Sequence, residues 1–249
     1  MSALAQYLRG IGMTVSGSDR FFGTGEAGEI REKLEAEGIH CFPQDGSGLT
    51  RDTDVVVAST AVEDSVPEVR KAKELGIPVI RRSEMLARIA ESKKTIAVGG
   101  TSGKSTTSAM LYDILVHAGL EPSIISGAGL VKLIKQGRIG NAAVGKGEWL
   151  VIEADESDGS IVQYKSAVGL LLNVDKDHKE MDELMEIFRT FRANSQRFLV
   201  NRSQHRAAEL SVDRSVDFSH DDSKPAGYQA TDFKQEGLEI SFNINGVPF

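Results

Sequence analysis

The chain is poor in several features, and each shortage excludes something. Its 249 residues include a single cysteine, Cys41. No internal disulfide can form, which points to a reducing compartment. No apolar run approaches the ~20 residues of a membrane-spanning helix, and the N-terminus lacks the basic-then-apolar pattern of a signal peptide. A cytoplasmic location is expected. Basic residues are outnumbered, 29 Lys and Arg against 36 Asp and Glu, for a net charge of −7. That balance argues against a nucleic-acid partner, which selects for a basic face. Internal repeats and low-complexity tracts are also lacking. What remains is a hydrophobic content of 40% and a charged content of 26%. These values suit a globular protein of one large domain or two ordinary ones.

The apolar pattern alternates between helical and strand spacing. Leu4, Ala5 and Leu8 recur at helical spacing over Met1 to Leu8, with Gly10 as a stop. Thr14-Val15-Ser16 reads as a strand, Glu26 to Glu37 as a helix closed by Gly38, and Asp54 to Ala58 as a buried strand. Pro67 to Leu75 is a helix ended by Gly76, and Ile77 to Ile80 is the next strand. Ser83 is expected to cap a helix reaching Glu91. Alternating strands and helices predict an α/β fold with a mainly parallel sheet. The polar run Glu91-Ser92-Lys93-Lys94 marks a boundary, giving one domain over residues 1–93 and a second over 94–249. In the second, Trp149 to Glu153 and Val168 to Val174 read as strands. Lys179 to Asn194 reads as a helix with Met181, Leu184, Met185, Phe188 and Phe191 on a core face.

The second domain opens on its most informative segment. An apolar strand, Thr95-Ile96-Ala97-Val98, leads into Gly100-Thr101-Ser102-Gly103-Lys104-Ser105-Thr106. An amphipathic helix follows, with Met110, Leu111, Ile114, Leu115 and Ala118 on one side. Strand, glycine-rich turn and helix start together aim free backbone N–H groups at a phosphate. The lysine adds a point charge for the outer phosphates, and Ser105 offers a hydroxyl to Mg²⁺. The chain is therefore expected to handle a nucleoside triphosphate. The alternative is a glycine-rich turn with a surface lysine. The loop is shorter than the common eight-residue phosphate loop, because Val98 stands where that pattern has its first glycine.

Two further strand ends carry polar groups. Trp149 to Glu153 runs into Glu153-Ala154-Asp155-Glu156-Ser157-Asp158, and carboxylates at such a place suit Mg²⁺ opposite a phosphate loop. The other end is Asn173-Val174-Asp175-Lys176-Asp177-His178. In a parallel sheet these ends gather at one edge, so Lys104, Glu153 and His178 are expected to converge. His40, His117, His205 and His220 read as surface or helix-capping residues. Both ends of the chain read as cut. A Rossmann-like sheet begins with a strand before its first helix. Asn245-Gly246 signals a hairpin whose return strand has only Val247-Pro248-Phe249.

Together, Val15-Ser16-Gly17-Ser18-Asp19, Ala97 to Thr107, Glu153 to Asp158 and Asn173 to His178 resemble the Mur ligases, ATP-dependent amide-forming enzymes of peptidoglycan precursor synthesis. The resemblance covers nearly the whole chain and matches the first two domains of such enzymes. It implies a Rossmann-like UDP-sugar domain lacking its first strand, then a central ATP-binding domain, with the C-terminal ligase domain absent. By that likeness ATP phosphorylates the carboxylate of UDP-N-acetylmuramate, and L-alanine attacks the acyl phosphate. Lys104, Glu153 and His178 are then the catalytic set, and Gly100 to Thr106 bind ATP. Ser105 and Glu153 hold one Mg²⁺, and His178 helps hold a second. Ser16, Ser18, Asp19, Ser59, Thr60, Asp155, Glu156 and Ser157 are the substrate-binding candidates. The alanine-adding enzymes carry Met-Asp after the histidine, whereas Lys179-Glu180 stands here. The amine is therefore open between L-alanine and a recycled tripeptide, and a non-catalytic nucleotide-binding paralogue is the other reading. A chain without the third domain is expected to be inactive alone.

Overall fold

A computed structural model describes residues 1–59, 65–157, 159–176 and 179–249. Helix α1 (Ser2–Gly10) is followed by β1 (Ser16–Asp19), α2 (Gly28–Ala36) and β2 (His40–Pro43). Then come β3 (Val56–Ala58), α3 (Pro67–Leu75), β4 (Val79–Arg81) and α4 (Arg82–Glu91). The next stretch holds β5 (Lys94–Gly99), α5 (Lys104–His117), β6 (Ser123–Ile125), α6 (Val131–Ile134), β7 (Ala142–Ala143) and β8 (Trp149–Glu153). The last holds β9 (Ser166–Leu171), α7 (Met181–Ala193), β10 (Ser195–Val200) and α8 (His205–Glu209). Strands β11 (Phe218–Ser219), β12 (Tyr228–Glu236), β13 (Glu239–Ile244) and β14 (Val247–Pro248) finish it. Helices and strands alternate as an α/β fold requires. Two compact units emerge, Met1–Lys93 with Ser108–Val151, and Lys94–Thr107 with Ile152–Phe249.

In the first unit, β1 pairs in parallel with β2, and β3 pairs in parallel with β4, as two separate two-stranded sheets. The first strand begins later than its apolar residues suggest. His40 N–H donates to Val15 O at 3.1 Å, and the register then runs from Ser16 opposite His40 to Asp19 opposite Pro43. The partner strand, not local apolarity, fixes where β1 starts. The expected buried strand at Asp54 to Ala58 is shorter, and all three residues of β3 are only half-buried. Among the described residues it pairs with β4 alone.

Helix α3 begins with Pro67 at N1 and ends at Gly76, whose φ of 70° places it in the left-handed region that glycine favours. Ser83 does not cap α4. It lies buried inside the helix, while Arg81 takes the N-cap position and its N–H donates to Glu84 Oε2 at 3.0 Å. A glutamate at N3 reaching back to the N-cap amide accounts for the earlier start. Helix α1 buries Leu4, Tyr7 and Leu8, at i, i+3 and i+4, and packs on β6 and β7.

The largest sheet has strand order β10-β9-β5-β8-β6-β7. Strands β10, β9 and β5 run parallel, and β6 and β7 are antiparallel. In the second unit, α7 buries Leu184, Met185, Phe188 and Phe191, as its spacing predicts. Phe191 meets Phe198 of β10 edge-on at 5.4 Å, an arrangement aromatic rings favour. Helix α5 departs from its apolar pattern. Its one buried residue is Ser108, Met110 and Ile114 are each 60% exposed, Ala118 is exposed, and Leu111 and Leu115 are half-buried. The apolar side of this helix is therefore mostly uncovered among the described residues.

The end of the chain forms a four-stranded sheet, β11-β12-β13-β14. Asn245 (φ 50°) and Gly246 (φ 82°) make the expected tight turn, since both central positions of such a hairpin need positive φ. Phe242 stacks against Phe233 at 5.4 Å and Phe249 at 5.8 Å. Among the described residues, no helix is long and apolar enough to cross a membrane.

Candidate functional site

The phosphate loop fills the turn between β5 and α5. Gly100 has φ 141° and Gly103 φ 81°, both in the region that side chains disfavour. A Cβ on Gly100 would also lie 3.2 Å from the Asn173 nitrogen. Glycine at these two places lets the backbone turn tightly and enter the helix at Lys104. The first-turn N–H groups of a helix have no acceptor within it, which leaves those of α5 available to an anion.

Lys104 is held from two sides. Its Nζ donates to Gly100 O at 2.7 Å and to both carboxylate oxygens of Glu156, at 3.2 and 2.9 Å. Glu156 is buried, with its side chain only 4% exposed, against 17% for Lys104. A carboxylate so enclosed needs its cation, because an unpaired buried charge costs several kcal/mol. Glu156 was expected at the substrate. The fold sets it against Lys104 of the loop.

Ser105, the next loop residue, donates from Oγ to Glu153 Oε2 at 3.0 Å. The two oxygen ligands expected to share one Mg²⁺ are thus within hydrogen-bond reach. A hydroxyl and a single carboxylate beside a phosphate site fit Mg²⁺, which keeps most of its shell as water and phosphate oxygen. Asp155 follows on the same strand end, and its Oδ1 accepts the Ser157 N–H at 3.0 Å. It closes a local turn and leaves Ser157 exposed. His178, the candidate for the second metal, lies outside the described residues, as do Asp158 and Asp177. Among the described residues no cluster of three His, Cys, Asp or Glu side chains is poised for a metal.

The end of β9 supplies a contact that sequence reasoning passed over. Asn173 Oδ1 accepts from Thr101 Oγ1 at 2.8 Å and from the Ser102 N–H at 2.9 Å, while its Nδ2 donates to Ser102 O at 3.0 Å. The strand expected to run to Val174 stops at Leu171 because these residues turn to bond the loop. The signal was present as an asparagine two residues past an apolar strand.

In the first unit the sugar-nucleotide candidates divide. Ser16, Ser18 and Asp19 lie along β1, with Ser16 and Asp19 exposed and Ser18 half-buried. Asp19 Oδ1 accepts the Phe21 N–H at 2.9 Å, capping a short turn of 3₁₀ helix. Ser59 follows β3, in the other two-stranded sheet, and Thr60 lies outside the described residues. Cys41 is buried with Leu34 and Ile39, and burial pushes its thiol pKa above the ordinary value. His40, His117, His205 and His220 are all exposed, as expected.

Known proteins resemble this chain in sequence and in fold. Residues 1–94 match the model described as Mur ligase family, catalytic domain. A UDP-N-acetylmuramate–L-alanine ligase of Mesorhizobium japonicum is 32% identical over 253 aligned residues, covering 98% of this chain and 52% of the relative. One of Carboxydothermus hydrogenoformans is 42% identical over 199 residues, covering 78% of this chain and 41% of the relative. The chain thus spans about half the length of these relatives or less. The crystal structure of the UDP-N-acetylmuramate–alanine ligase of Thermotoga maritima shares the fold, with a TM-score of 0.82 at 24% identity, over 100% of this chain and 56% of that one. With the sequence matches, the shared fold and the glycine-rich loop facing Glu153, the chain belongs to the Mur ligase family.

Proposed function

We propose that this chain provides the nucleotide site of an ATP-dependent amide ligase that joins L-alanine to UDP-N-acetylmuramate. The carrying observation is Ser105 Oγ lying 3.0 Å from Glu153 Oε2, one residue from a lysine held at the mouth of a phosphate loop. In this reading residues 94–249 form the ATP-binding domain and residues 1–93 the UDP-sugar domain. Ser16, Ser18, Asp19, Ser59 and Thr60 are proposed contacts to the sugar nucleotide, and the reaction is cytoplasmic.

The chemistry follows from charge. A carboxylate oxygen of the sugar acid attacks the γ-phosphorus, and ADP leaves. The amine nitrogen then attacks the acyl carbon, loses a proton, and inorganic phosphate departs. The first step brings two anions together, so cations must offset their repulsion and fix the in-line geometry. Lys104 supplies one such charge, released from Glu156 to the phosphates. Ser105, Glu153 and His178 are the residues that would hold Mg²⁺, which screens the phosphate oxygens when bound. The N–H groups at the start of α5 orient the phosphates.

The test incubates the protein carrying this chain with ATP, Mg²⁺ and UDP-N-acetylmuramate, adding L-alanine or the tripeptide. ADP release that requires both the sugar nucleotide and L-alanine supports the reading. Release with the tripeptide alone reassigns the amine, and Lys179-Glu180 becomes the first place to examine. No ADP with either amine overturns the ligase reading.

A further inference from the structure

We propose that Asn173 is a positioning residue that holds the phosphate loop in its nucleotide-ready shape and decides which amides meet the phosphates. The inference rests on the ATP reading above. The carboxamide bonds both backbone groups of one loop residue, accepting from Ser102 N–H and donating to Ser102 O. The main chain adds Leu172 N–H to Gly99 O at 3.0 Å and Thr101 N–H to Asn173 O at 3.4 Å. The ladder between β5 and β9 is thereby extended past both strand ends, with a side chain serving as its last rung. Thr101 Oγ1 donates to Asn173 Oδ1 and accepts the Asp175 N–H at 3.1 Å. One asparagine therefore ties the loop crest to the turn after β9.

Two consequences follow. Ser102 N–H is turned toward Asn173, so phosphate contacts fall to the amides of Lys104, Ser105 and Thr106. The loop is also ordered before the nucleotide arrives, which spares the ordering entropy that weakens binding by a mobile loop. Only asparagine meets the need at this reach. Aspartate keeps the acceptor, loses the donor to Ser102 O and sets a negative charge beside the phosphates. Alanine loses all three side-chain bonds.

The experiment measures Mg-ATP binding by calorimetry, with thermal unfolding alongside, for the protein carrying this chain and its Asn173→Ala, Asn173→Asp, Thr101→Val and Asn173→Ala/Thr101→Val variants. Asn173→Ala should weaken ATP about tenfold, and Asn173→Asp further, at an unfolding temperature that still leaves the protein folded. Because the two side chains act as one unit, the double variant should bind about as weakly as Asn173→Ala alone. A merely structural role would lower the unfolding temperature and leave ATP affinity and this coupling unmoved. Wild-type affinity in folded Asn173→Ala overturns the inference and leaves the phosphate-loop reading standing. If Asn173→Ala unfolds, wild-type affinity in folded Asn173→Asp overturns it instead. Absence of ATP binding by the wild-type protein removes the phosphate reading and this inference with it.

Discussion

The two sets of site candidates are built in opposite ways. Around the phosphate loop, side chains from the ends of β8 and β9 cross-link the turn after β5: Glu156 to Lys104, Glu153 to Ser105, and Asn173 to Thr101 and Ser102. In the first unit, Ser16, Ser18 and Asp19 sit on β1 and Ser59 follows β3, and these strands belong to different two-stranded sheets. Asp19 bonds locally, accepting from an amide two residues on. The loop is fixed by long-range contacts, whereas the exposed strand ends carry their polar groups on locally ordered backbone. Order at the first is set by the sheet, and at the second by the turn.

The largest effect should come from the core of the second unit. Phe188→Ala removes a fully buried ring from α7 and should cost about 3–5 kcal/mol in denaturant unfolding. Val57→Ala, in half-buried β3, should cost about 1 kcal/mol. Equal losses would erase the contrast. Next, Lys104→Ala should weaken Mg-ATP about a hundredfold, because both a charge and its donors are lost. Nucleotide affinity unchanged in that variant would break the phosphate-site assignment.

Glu156→Gln sharpens the same comparison with opposite signs in two measurements. The protein should lose about 1–3 kcal/mol, because a buried ion pair becomes a neutral contact. ATP should bind a few-fold tighter, because Lys104 is freed and a negative charge near the phosphates is gone. Weaker ATP binding in a folded variant would show that Glu156 aims Lys104 rather than competing for it. Asp19→Ala, by contrast, should cost at most about 1 kcal/mol as a lost cap and leave ATP affinity alone.

The smallest effect is one of pH. Burial raises the Cys41 thiol above 9.0 and the Tyr7 hydroxyl above 10.0. Raised folded values mean the native state keeps these protons while the unfolded chain releases them. Their stabilisation is complete below the unfolded values and is lost as pH rises through the folded ones. Denaturant midpoints should therefore fall slightly above pH 9, and Cys41→Ser should remove the earlier part of that fall. A flat profile to pH 10 would count against a buried thiol.

Much of this architecture was legible from local chemistry. Pro67 and Gly76 bracket α3 because one fixes φ at a helix start and the other accepts φ near 70° at its end. Asn245-Gly246 makes its hairpin for the same conformational reason. The α7 stripe lies in the core because helical spacing puts Leu184, Phe188 and Phe191 on one side. The apolar side of α5, by contrast, is mostly exposed. Periodicity states which side chains share a face, and only a neighbouring element decides whether that face is covered. The β1 boundary and the α4 cap failed for a related reason, since His40 and Glu84 set them through hydrogen bonds that apolarity does not reveal.

The chain's composition and spacing by themselves determined an α/β fold and a glycine-rich loop between strand and helix, because those depend on backbone freedom and on the period of apolar residues. They also placed Ser105 and Glu153 at strand ends that a parallel sheet brings to one edge. Only the tertiary structure decided that Glu156 faces Lys104 and that Asn173 grips Ser102. Those partners stand 52 and 71 residues apart, and no local rule links positions so distant. Their meeting is set by strand order, with β5 between β8 and β9, and strand order is a property of the whole packed sheet.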